Sequence, residues 1–199
     1  MNLTDPSISA LATAKSVLLD PWGLTEADMA RAIGEIFTHK VDYADLYFQY
    51  TRSEGWSLEE GIVKTGSFSI SQGVGVRAVA GEKTAFAYSD ALSRDALLSS
   101  SRAVREIARQ GAGKIHVPPY QERKGVQLYQ AIDPLGTLTA PQKVALLERL
   151  EKMARAKDSH VIQVMAGLGM EYDVVMVAGS DGRLGRCPSS GSSFFVGDR

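Results

Sequence analysis

The sequence predicts an α+β fold in which an antiparallel β meander packs against amphipathic helices and is followed by a helix and a β hairpin. Residues 41–90 alternate apolar and polar side chains between short turn signals, a period of two that is typical of half-buried strands. Short turns between consecutive strands indicate antiparallel pairs, because a parallel pair needs a long crossover. Stripes of apolar residues at helical spacing lie on both sides of this region and predict the covering helices.

The first helix is predicted to begin at Thr25, whose side chain can cap it, with Glu26 and Asp28 near the positive end of its dipole. Two basic residues suggest that it ends near His39–Lys40. Residues 1–20 are weakly patterned, and a short helix and a loosely attached arm fit them about equally. We expect a weakly ordered N-terminal arm there, followed by one domain over residues 21–184.

The predicted meander consists of short strands separated by turns. Glu54-Gly55 and residues 65–67 are expected to be turns, and Gly61 is expected to be a bulge inside a strand. A further turn at residues 80–83 leads into the last strand. The strands lie at residues 44–51, 56–64, 68–71, 73–80 and 84–89.

Beyond the meander, a helix over residues 93–110 with Gly111 at its C-terminal end is expected to cover one face of the sheet. Residues 115–138 contain Pro118-Pro119 and Asp133-Pro134 and show no clean period. We expect a long irregular connection, and such connections are often functional or bound by a partner.

The second half of the chain begins with a strong helix signal. Thr139 can cap a helix that has Pro141 in its first turn and Gln142 at the capping-box position, and the helix should end near Lys157. Its buried stripe is expected to consist of four apolar residues, flanked by Leu146 and Met153. The four residues are Val144, Leu147, Leu150 and Ala154.

The predicted hairpin pairs residues 161–168 with residues 172–178 through a turn at residues 169–171, which leaves an exposed edge prone to pairing. A turn at residues 180–183 should lead to another strand, but the periodic pattern stops at Leu184. Residues 185–199 therefore form a separate segment. It is either a disordered tail or the product of a truncation or frameshift in a longer protein.

Composition excludes some classes of function. The 199 residues carry a net charge of −1, which argues against direct nucleic-acid binding by bulk electrostatics. One cysteine excludes an internal disulfide and fits a reducing compartment. No signal peptide and no run of about 18 apolar residues is apparent. We therefore expect a soluble cytoplasmic protein that does not bind a membrane.

No catalytic or metal-binding cluster is evident from the spacing of histidine and cysteine. His39, His116 and His160 lack a second histidine or a carboxylate at the spacing of metal ligands on a helix, and we interpret them as surface or capping histidines. Cys187 has Arg186 as its one basic neighbour. A nucleophilic cysteine needs a base partner and a lowered pKa, so we do not assign that role.

The glycine-rich segment resembles a phosphate-binding loop only superficially. Glu82 separates Gly81 from Lys83, whereas a P-loop places glycine directly before lysine at the start of a helix. Gly73 and Gly75 are therefore interpreted, like Gly81, as turn or bulge glycines.

Two carboxylate pairs, Asp42/Asp45 and Glu59/Glu60, could perform acid–base chemistry only in a shared cleft that separates their pKa values. We interpret them as solvated edge charges. Four aromatic residues could form an adhesive sheet face, but packing in a core or an interface explains them without a ligand. These residues are Trp56, Phe68, Phe86 and Tyr88.

Several segments together resemble the TldD family, whose members are also called modulators of DNA gyrase and are related to the TldE/PmbA proteins. The longest is QGVGVRAVAGEKTAFAYSD, and the resemblance covers residues 20 to 184. The other segments are DYADLYFQ, the W-x-L-E stretch, VQLYQAIDP and VAGSDGRL, at residues 42–49, 56–59, 126–134 and 177–184.

The resemblance implies a cytoplasmic zinc metallopeptidase in which a TldD-type subunit pairs with a TldE/PmbA-type paralogue. Such pairs degrade or trim small or unfolded peptides, including antitoxin and microcin-precursor substrates. A helical H-E-x-x-x-H motif and a later cysteine in the C-terminal half hold the zinc, and the motif glutamate is the general base. The 199 residues contain no such motif, so no catalytic, cofactor-binding or metal-binding residue is assigned.

Two hypotheses follow from the resemblance. The chain is the N-terminal portion of a TldD-type subunit, inactive alone and without zinc of its own. Alternatively, it is a non-catalytic binding or dimerisation module that pairs with a TldE/PmbA-type subunit or with itself.

Overall fold

A computed structural model describes residues 10–107, 115–122 and 133–198, and for residues 10, 122 and 186–198 it describes the backbone alone. It confirms the predicted α+β class. The helices are α1 (Ala10–Leu18), α2 (Glu26–Ile36), α3 (Arg94–Arg105) and α4 (Ala140–Lys157). The strands are β1 (Tyr43–Glu59), β2 (Ile62–Ala80), β3 (Lys83–Ser89), β4 (Gln121–Glu122), β5 (Val164–Gly179) and β6 (Arg183–Asp198).

The described strands form one sheet in the order β3-β2-β1-β5-β6-β4. Every neighbouring pair is antiparallel except β4 and β6, which pair in parallel over two residues. β1 lies at the centre, because it pairs with β2 on one side and with β5 on the other. Its pairing with β5 runs from Asp45 opposite Gly179 to Glu59 opposite Met165, so distant parts of the chain meet along its full length.

The hydrophobic core lies between one face of this sheet and the helices. Alternate residues of the central strands, such as Leu46, Phe48 and Met176, are fully buried there. On the helical side, Met29 and Ile33 of α2 are also inaccessible to solvent. Each large side chain buried in this way stabilises the fold by roughly 1.5–3 kcal/mol. This burial holds the helices on one face of the sheet, and the other face remains open.

The predicted helix starts are confirmed. The Thr25 hydroxyl accepts a hydrogen bond from the Asp28 amide, and the Asp28 carboxylate accepts one from the Thr25 amide. At the start of α4, the Gln142 side-chain oxygen accepts hydrogen bonds from the Thr139 amide and the Thr139 hydroxyl. α2 ends at Ile36, before the predicted His39–Lys40. α3 ends at Arg105, and Gly111 lies outside the described residues.

The meander has fewer and longer strands than the sequence predicts. Glu54-Gly55 and residues 65–67 lie within β1 and β2, and the bulge lies at Lys64 of β2, opposite Ser57 and Leu58, so these three assignments are wrong. The turn is at Glu60-Gly61, where φ is 51° and 77°. Positive φ at two consecutive residues suits the right-handed twist of a tight hairpin.

The hairpin that follows α4 is confirmed as a motif, but its strands differ from those predicted. β5 runs without interruption through residues 169–171, and its partner is β6, which follows the predicted turn near Ser180. Strand structure therefore does not stop at Leu184, because pairing with β5 supports residues whose sequence does not alternate. β5 is also not an exposed edge, since β1 and β6 flank it.

Residues 10–18 form α1, which is the short helix among the two alternatives for residues 1–20. Ala14 and Leu18 are fully buried, and the helix contacts β5 and β6. Residues 1–9 lie outside the described residues.

In α4, Leu147 is buried as predicted, whereas Val144, Leu150 and Ala154 are half-buried. Lys143 and Glu151 are buried in their place, and the flanking Met153 is 57% exposed. Within the described residues, no helix is long and apolar enough to cross a membrane.

Candidate binding surface

The sheet face that points away from the core is called the open face here. Successive side chains of a strand point to opposite faces, so Tyr47, Gln49 and Thr51 of β1 lie opposite the buried Leu46 and Phe48. Their cross-strand neighbours on β2 are small: Tyr47 pairs with Gly75, Gln49 with Gly73 and Thr51 with Ser71. The small residues make a shallow channel along β2.

A groove of about 230 Å³ lies on the open face above this channel. Aromatic rings from Tyr47, Phe86 and Tyr88 form its apolar walls, and Gln49 and Thr51 provide hydrogen-bonding groups. Phe86 and Tyr88 are 64% and 61% exposed. Solvent-exposed aromatic rings with polar groups at one side are typical of binding surfaces, where the rings supply contact area.

The positions of the Tyr88 and Phe86 rings require glycine at residues 73 and 75 of β2. A Cβ atom on Gly73 would lie 2.6 Å from a Tyr88 ring carbon and 2.7 Å from the Ser89 carbonyl oxygen, and one on Gly75 would lie 2.8 Å from the Phe86 ring. The two rings therefore lie close over backbone that has no side chain. This gives Gly73 and Gly75 a role in shaping the groove.

A polar strip continues from the groove onto β5. The Asp173 carboxylate accepts hydrogen bonds from the Thr51 hydroxyl and the Gln49 amide. Thr51 and Gln49 also line the groove, so the strip joins its polar wall. The side chains of the strip can bond to peptide amides, and the rings beside them can pack against apolar side chains.

A second cavity, of about 310 Å³, lies on the helical side between α1, the Pro21-Trp22 turn and β1. Its one charged lining residue, Arg52, donates to Asp133 and stands 5.6 Å from the centre of the Tyr172 ring. Because its guanidinium is engaged by a carboxylate and a ring, we give this cavity a packing role.

The first carboxylate pair has structural partners. Asp45 is 5% exposed and bonds to Arg77, and this hydrogen bond raises the pKa of Arg77. The Asp42 carboxylate accepts from the Gly81 amide at 2.6 Å. Asp45 is therefore not the solvated edge charge that the sequence predicts.

In the second pair, Glu59 accepts from the Gln163 amide at 2.9 Å. Glu60 occupies the positive-φ turn at the tip of the β1–β2 hairpin. Glu60 therefore belongs to the hairpin turn, and Glu59 links β1 to the segment before β5. Neither residue lines the open-face groove.

The histidines lie apart. His39 follows α2, and its Nδ1 lies 3.2 Å from the Arg105 carbonyl oxygen. His160 is exposed beside Asp158, at 2.8 Å, and His116 is exposed before β4. In the described part of the chain, no three His, Cys, Asp or Glu residues come together as metal ligands. Cys187 lies in β6, and its side chain is outside what the structure describes.

The sequence predicts an adhesive aromatic face but misses most of the groove. Phe86 and Tyr88 belong to the groove, whereas Phe68 lies on the other face of β2 and Trp56 packs against Gly66. Tyr47 reaches the two rings of β3 through the pairing of β1 with β2 and of β2 with β3. Thr51 and Asp173 meet only through strand pairing across more than a hundred residues. The available signal is the match between the Gly-x-Gly and Phe-x-Tyr spacings of adjacent strands.

Comparison with known families gives two matches within one family. Residues 44–109 match the model described as "PmbA/TldA metallopeptidase domain 1", and residues 133–197 match "PmbA/TldA metallopeptidase central domain". The second match extends to residue 197, so the expectation that the family pattern ends near Gly185 is wrong.

Curated relatives carry the name "Metalloprotease TldD homolog". The chain is 41% identical to the protein from Haemophilus influenzae over 87% of its own length and 36% of the relative. It is 38% identical to the protein from Buchnera aphidicola subsp. Schizaphis graminum, over 81% of its length and 33% of that relative. The chain thus spans about a third of the length of the curated relatives it matches.

Solved structures share the fold. A modulator of DNA gyrase from Bacteroides thetaiotaomicron superposes with a TM-score of 0.66 at 16% identity, covering 90% of this chain and 41% of that one. TldE from Thermococcus kodakarensis superposes with a TM-score of 0.55 at 16% identity, covering 87% of this chain and 42% of that one. At these identities the likeness concerns the fold alone.

Proposed function

The chain belongs to the PmbA/TldD metallopeptidase family, and on that premise we propose that it is the N-terminal portion of a TldD-type subunit of a cytoplasmic zinc metallopeptidase acting on small or unfolded peptides. In this role the chain supplies part of the wall of the peptide cleft and part of the subunit contact. The zinc-binding and catalytic groups belong to other parts of the enzyme.

The observation that carries this proposal is the groove on the open face. Its rings, Tyr47, Phe86 and Tyr88, can contact apolar side chains of many sizes, and Gln49 and Thr51 can bond to peptide amides. A surface that combines aromatic contact area with hydrogen-bonding groups for a peptide backbone suits a substrate that is recognised as an unfolded chain. Among the described residues, no charged side chain lines the groove itself, and the adjoining Asp173 carboxylate is bonded to Thr51 and Gln49.

Peptide binding by the purified chain tests this role. A fluorescently labelled unfolded peptide should increase in anisotropy on addition of the chain, and Tyr88→Ala with Phe86→Ala should weaken binding at least tenfold, about 1.4 kcal/mol. Ile162→Ala is the matched control, because Ile162 is 76% exposed and lies outside the groove. Equal affinity of the groove variant and the control would reject the groove as the peptide site.

The metal content of the purified chain tests whether the zinc-binding groups belong to other parts of the enzyme. In the described residues, no cluster of possible ligands fits a zinc site. We therefore assign no zinc-dependent step to the residues of this chain. We expect the purified chain to hold no stoichiometric zinc and to hydrolyse no peptide by itself. Elemental analysis that finds one tightly held zinc per chain would contradict this assignment.

The alternative function is a non-catalytic binding or dimerisation module that pairs with a TldE/PmbA-type subunit. The similarity in fold to a TldE structure favours this alternative, because paralogous subunits often assemble through equivalent surfaces. Co-expression with a TldE-type subunit distinguishes the two functions. A stable pair without peptidase activity supports the module, whereas activity that needs both this chain and a zinc-bearing segment supports the peptidase portion.

A further inference from the structure

One long edge of the sheet is without a partner strand among the described residues. β2 spans Ile62–Ala80, but β3 pairs with it only over Val74–Ala80. Over residues 62–73, β1 pairs with one side of β2, and no strand in the described ranges lies along the other side. This stretch, called the free edge below, presents a row of backbone donors and acceptors at strand spacing.

Beyond one bulge, the free edge lacks the features that keep edge strands apart. Natural edges carry charges, prolines, bulges or short strands. The one charge of residues 62–73, Lys64, lies at the bulge, and residues 65–73 contain neither a charge nor a proline. Three apolar side chains along it are largely exposed: Ile62 at 60%, Phe68 at 61% and Ile70 at 53%. A long, weakly charged edge with exposed apolar residues is suited to pairing with another strand.

We propose that two copies of this chain pair antiparallel through residues 65–71 of β2, about a two-fold axis at Phe68, to form one continuous sheet. The proposal deepens the subunit-contact part of the proposed function and rests on it. The occupant of the free edge is therefore the same edge of a second copy.

The edge is complementary to itself in this register. A two-fold axis perpendicular to the sheet keeps each face of the sheet on its own side. Phe68 faces Phe68 of the second copy, which forms a favourable aromatic cross-strand pair. Ser67 faces Ser69 and Thr65 faces Ser71, so the paired segment contains no charged residue.

The ends of the free edge fit the same register. β3 ends at Ser89, opposite Val74, and the turn at Glu60-Gly61 closes the other end. An axis at Phe68 pairs Thr65 with Ser71, so the paired segment lies between the bulge at Lys64 and the end of β3. The seven paired residues span about 23 Å, slightly longer than a typical strand of about 5–6 residues.

A charge introduced at the axis tests the proposal. Phe68→Lys and Phe68→Glu each place like charges opposite one another across the two-fold axis, which is destabilising. Phe86→Lys and Phe86→Glu are matched controls, because Phe86 is exposed to the same extent, 64% against 61%, and lies on β3 outside the free edge. Circular dichroism establishes that each variant is folded before association is compared.

Sedimentation equilibrium of the purified chain should show a reversible dimer. Each Phe68 variant should sediment as a monomer at concentrations where the Phe86 variants remain dimeric. An equimolar mixture of Phe68→Lys and Phe68→Glu should restore the dimer, because opposite charges then meet at the axis.

A wild-type chain that remains a monomer at all concentrations overturns the proposal, and so does a dimer that persists in both Phe68 variants. Failure to restore the dimer by mixing folded Phe68 variants overturns the register. None of these outcomes affects the peptide-binding assay, so failure of this interface is distinguishable from failure of the proposed function.

Discussion

At the scale of single residues, α4 is tied to the sheet by a buried charge. Lys143 has a side chain that is 4% exposed; its Nζ donates to Glu54 at 2.7 Å and to the Leu135 carbonyl oxygen at 2.9 Å. Glu54 also accepts from the Trp56 indole at 2.5 Å. A charge buried this deeply is tolerated because it is paired with a carboxylate and hydrogen-bonded to a carbonyl oxygen.

Lys143→Met should lower the free energy of unfolding by about 3 kcal/mol, because it leaves the Glu54 charge buried without its cation. Lys152→Met, at an exposed position of the same helix, should change it by less than about 0.5 kcal/mol. Urea denaturation of the two variants measures the difference. Equal free energies of unfolding for the two variants would show that the Lys143–Glu54 pair does not contribute to stability.

Asp28 gives the fold a dependence on pH. Its hydrogen bond from Arg94 is the main cause that lowers its pKa, and bonds from Thr25 add to the effect, while burial opposes it. The folded pKa therefore lies below that of the unfolded chain. The stabilisation is complete above the unfolded pKa, near 3.9, and is lost as the pH falls through the lower, folded value.

Asp28→Asn should therefore be less stable than wild type at neutral pH by about 1 kcal/mol, a value reduced because Arg94 is half exposed. The difference should disappear as the pH falls below the ordinary aspartate range. Arg94→Gln should reproduce this loss, since it removes the main cause. Thermal melts of the three proteins at several pH values provide the measurement, and a pH-independent difference would contradict the assignment.

At the scale of elements, the glycines of β2 differ in what they tolerate. Alanine at Gly73 would meet the Ser89 carbonyl oxygen, which cannot move independently of the strand, whereas alanine at Gly75 would meet only the Phe86 ring, which is exposed. Gly73→Ala should therefore lower the stability by about 1–3 kcal/mol. The effect of Gly75→Ala should be smaller and should disappear in the Phe86→Ala background.

Gly34→Ala is the matched control for these strand variants. Gly34 lies inside α2, and nothing stands within 4 Å of an added Cβ atom. Alanine there should raise the stability by about 0.5–1 kcal/mol. Guanidinium denaturation ranks the three variants, and a destabilising Gly34→Ala would show that α2 does not accommodate a Cβ atom at this position.

How far the elements could be predicted depends on the range of the interactions that define them. Capping residues act over three positions, so Thr25 and Thr139 correctly locate the starts of α2 and α4. Gly55 and Gly66 suggest turns, but each lies within a strand because a side chain of the paired strand occupies the space, Ser67 beside Gly55 and Trp56 beside Gly66. Only the paired structure contains that information.

The same reasoning explains β6 and the groove. The sequence of residues 185–198 has no alternation that predicts a strand, yet pairing with β5 supports one. Phe86 and Tyr88 could be identified as surface aromatics from sequence, but Asp173 joins the site through β1–β5 pairing. Local patterns predict the class of fold, whereas long-range pairing determines strand lengths and the composition of the site.

At the scale of the whole molecule, the two family matches share one sheet. Residues 44–109 contribute β1 to β3 and residues 133–197 contribute β5 and β6, but β1 and β5 pair over fifteen positions. Neither part can retain the full sheet alone. The family boundary therefore does not separate two independently folding units.

A chain that ends at residue 115 should accordingly lose cooperative unfolding, because β1 would lose one of its two neighbours and Phe48 would lose contacts from β5. The 199-residue chain should unfold in a single transition. Calorimetry compares the two, with mixed fragments 1–115 and 116–199 as the control for recovery by association. A sharp transition in the short chain would show that the first part folds without β5.

The central position of β1 also affects synthesis on the ribosome. About a hundred residues separate the end of β1 from the start of β5, and translation at 5–20 residues per second takes roughly 5–20 s to supply them. During that interval the nascent β1–β2 hairpin has two open sides instead of one. Synonymous codons that slow translation between residues 60 and 163 would lengthen this interval and increase the fraction of new chains captured by chaperones.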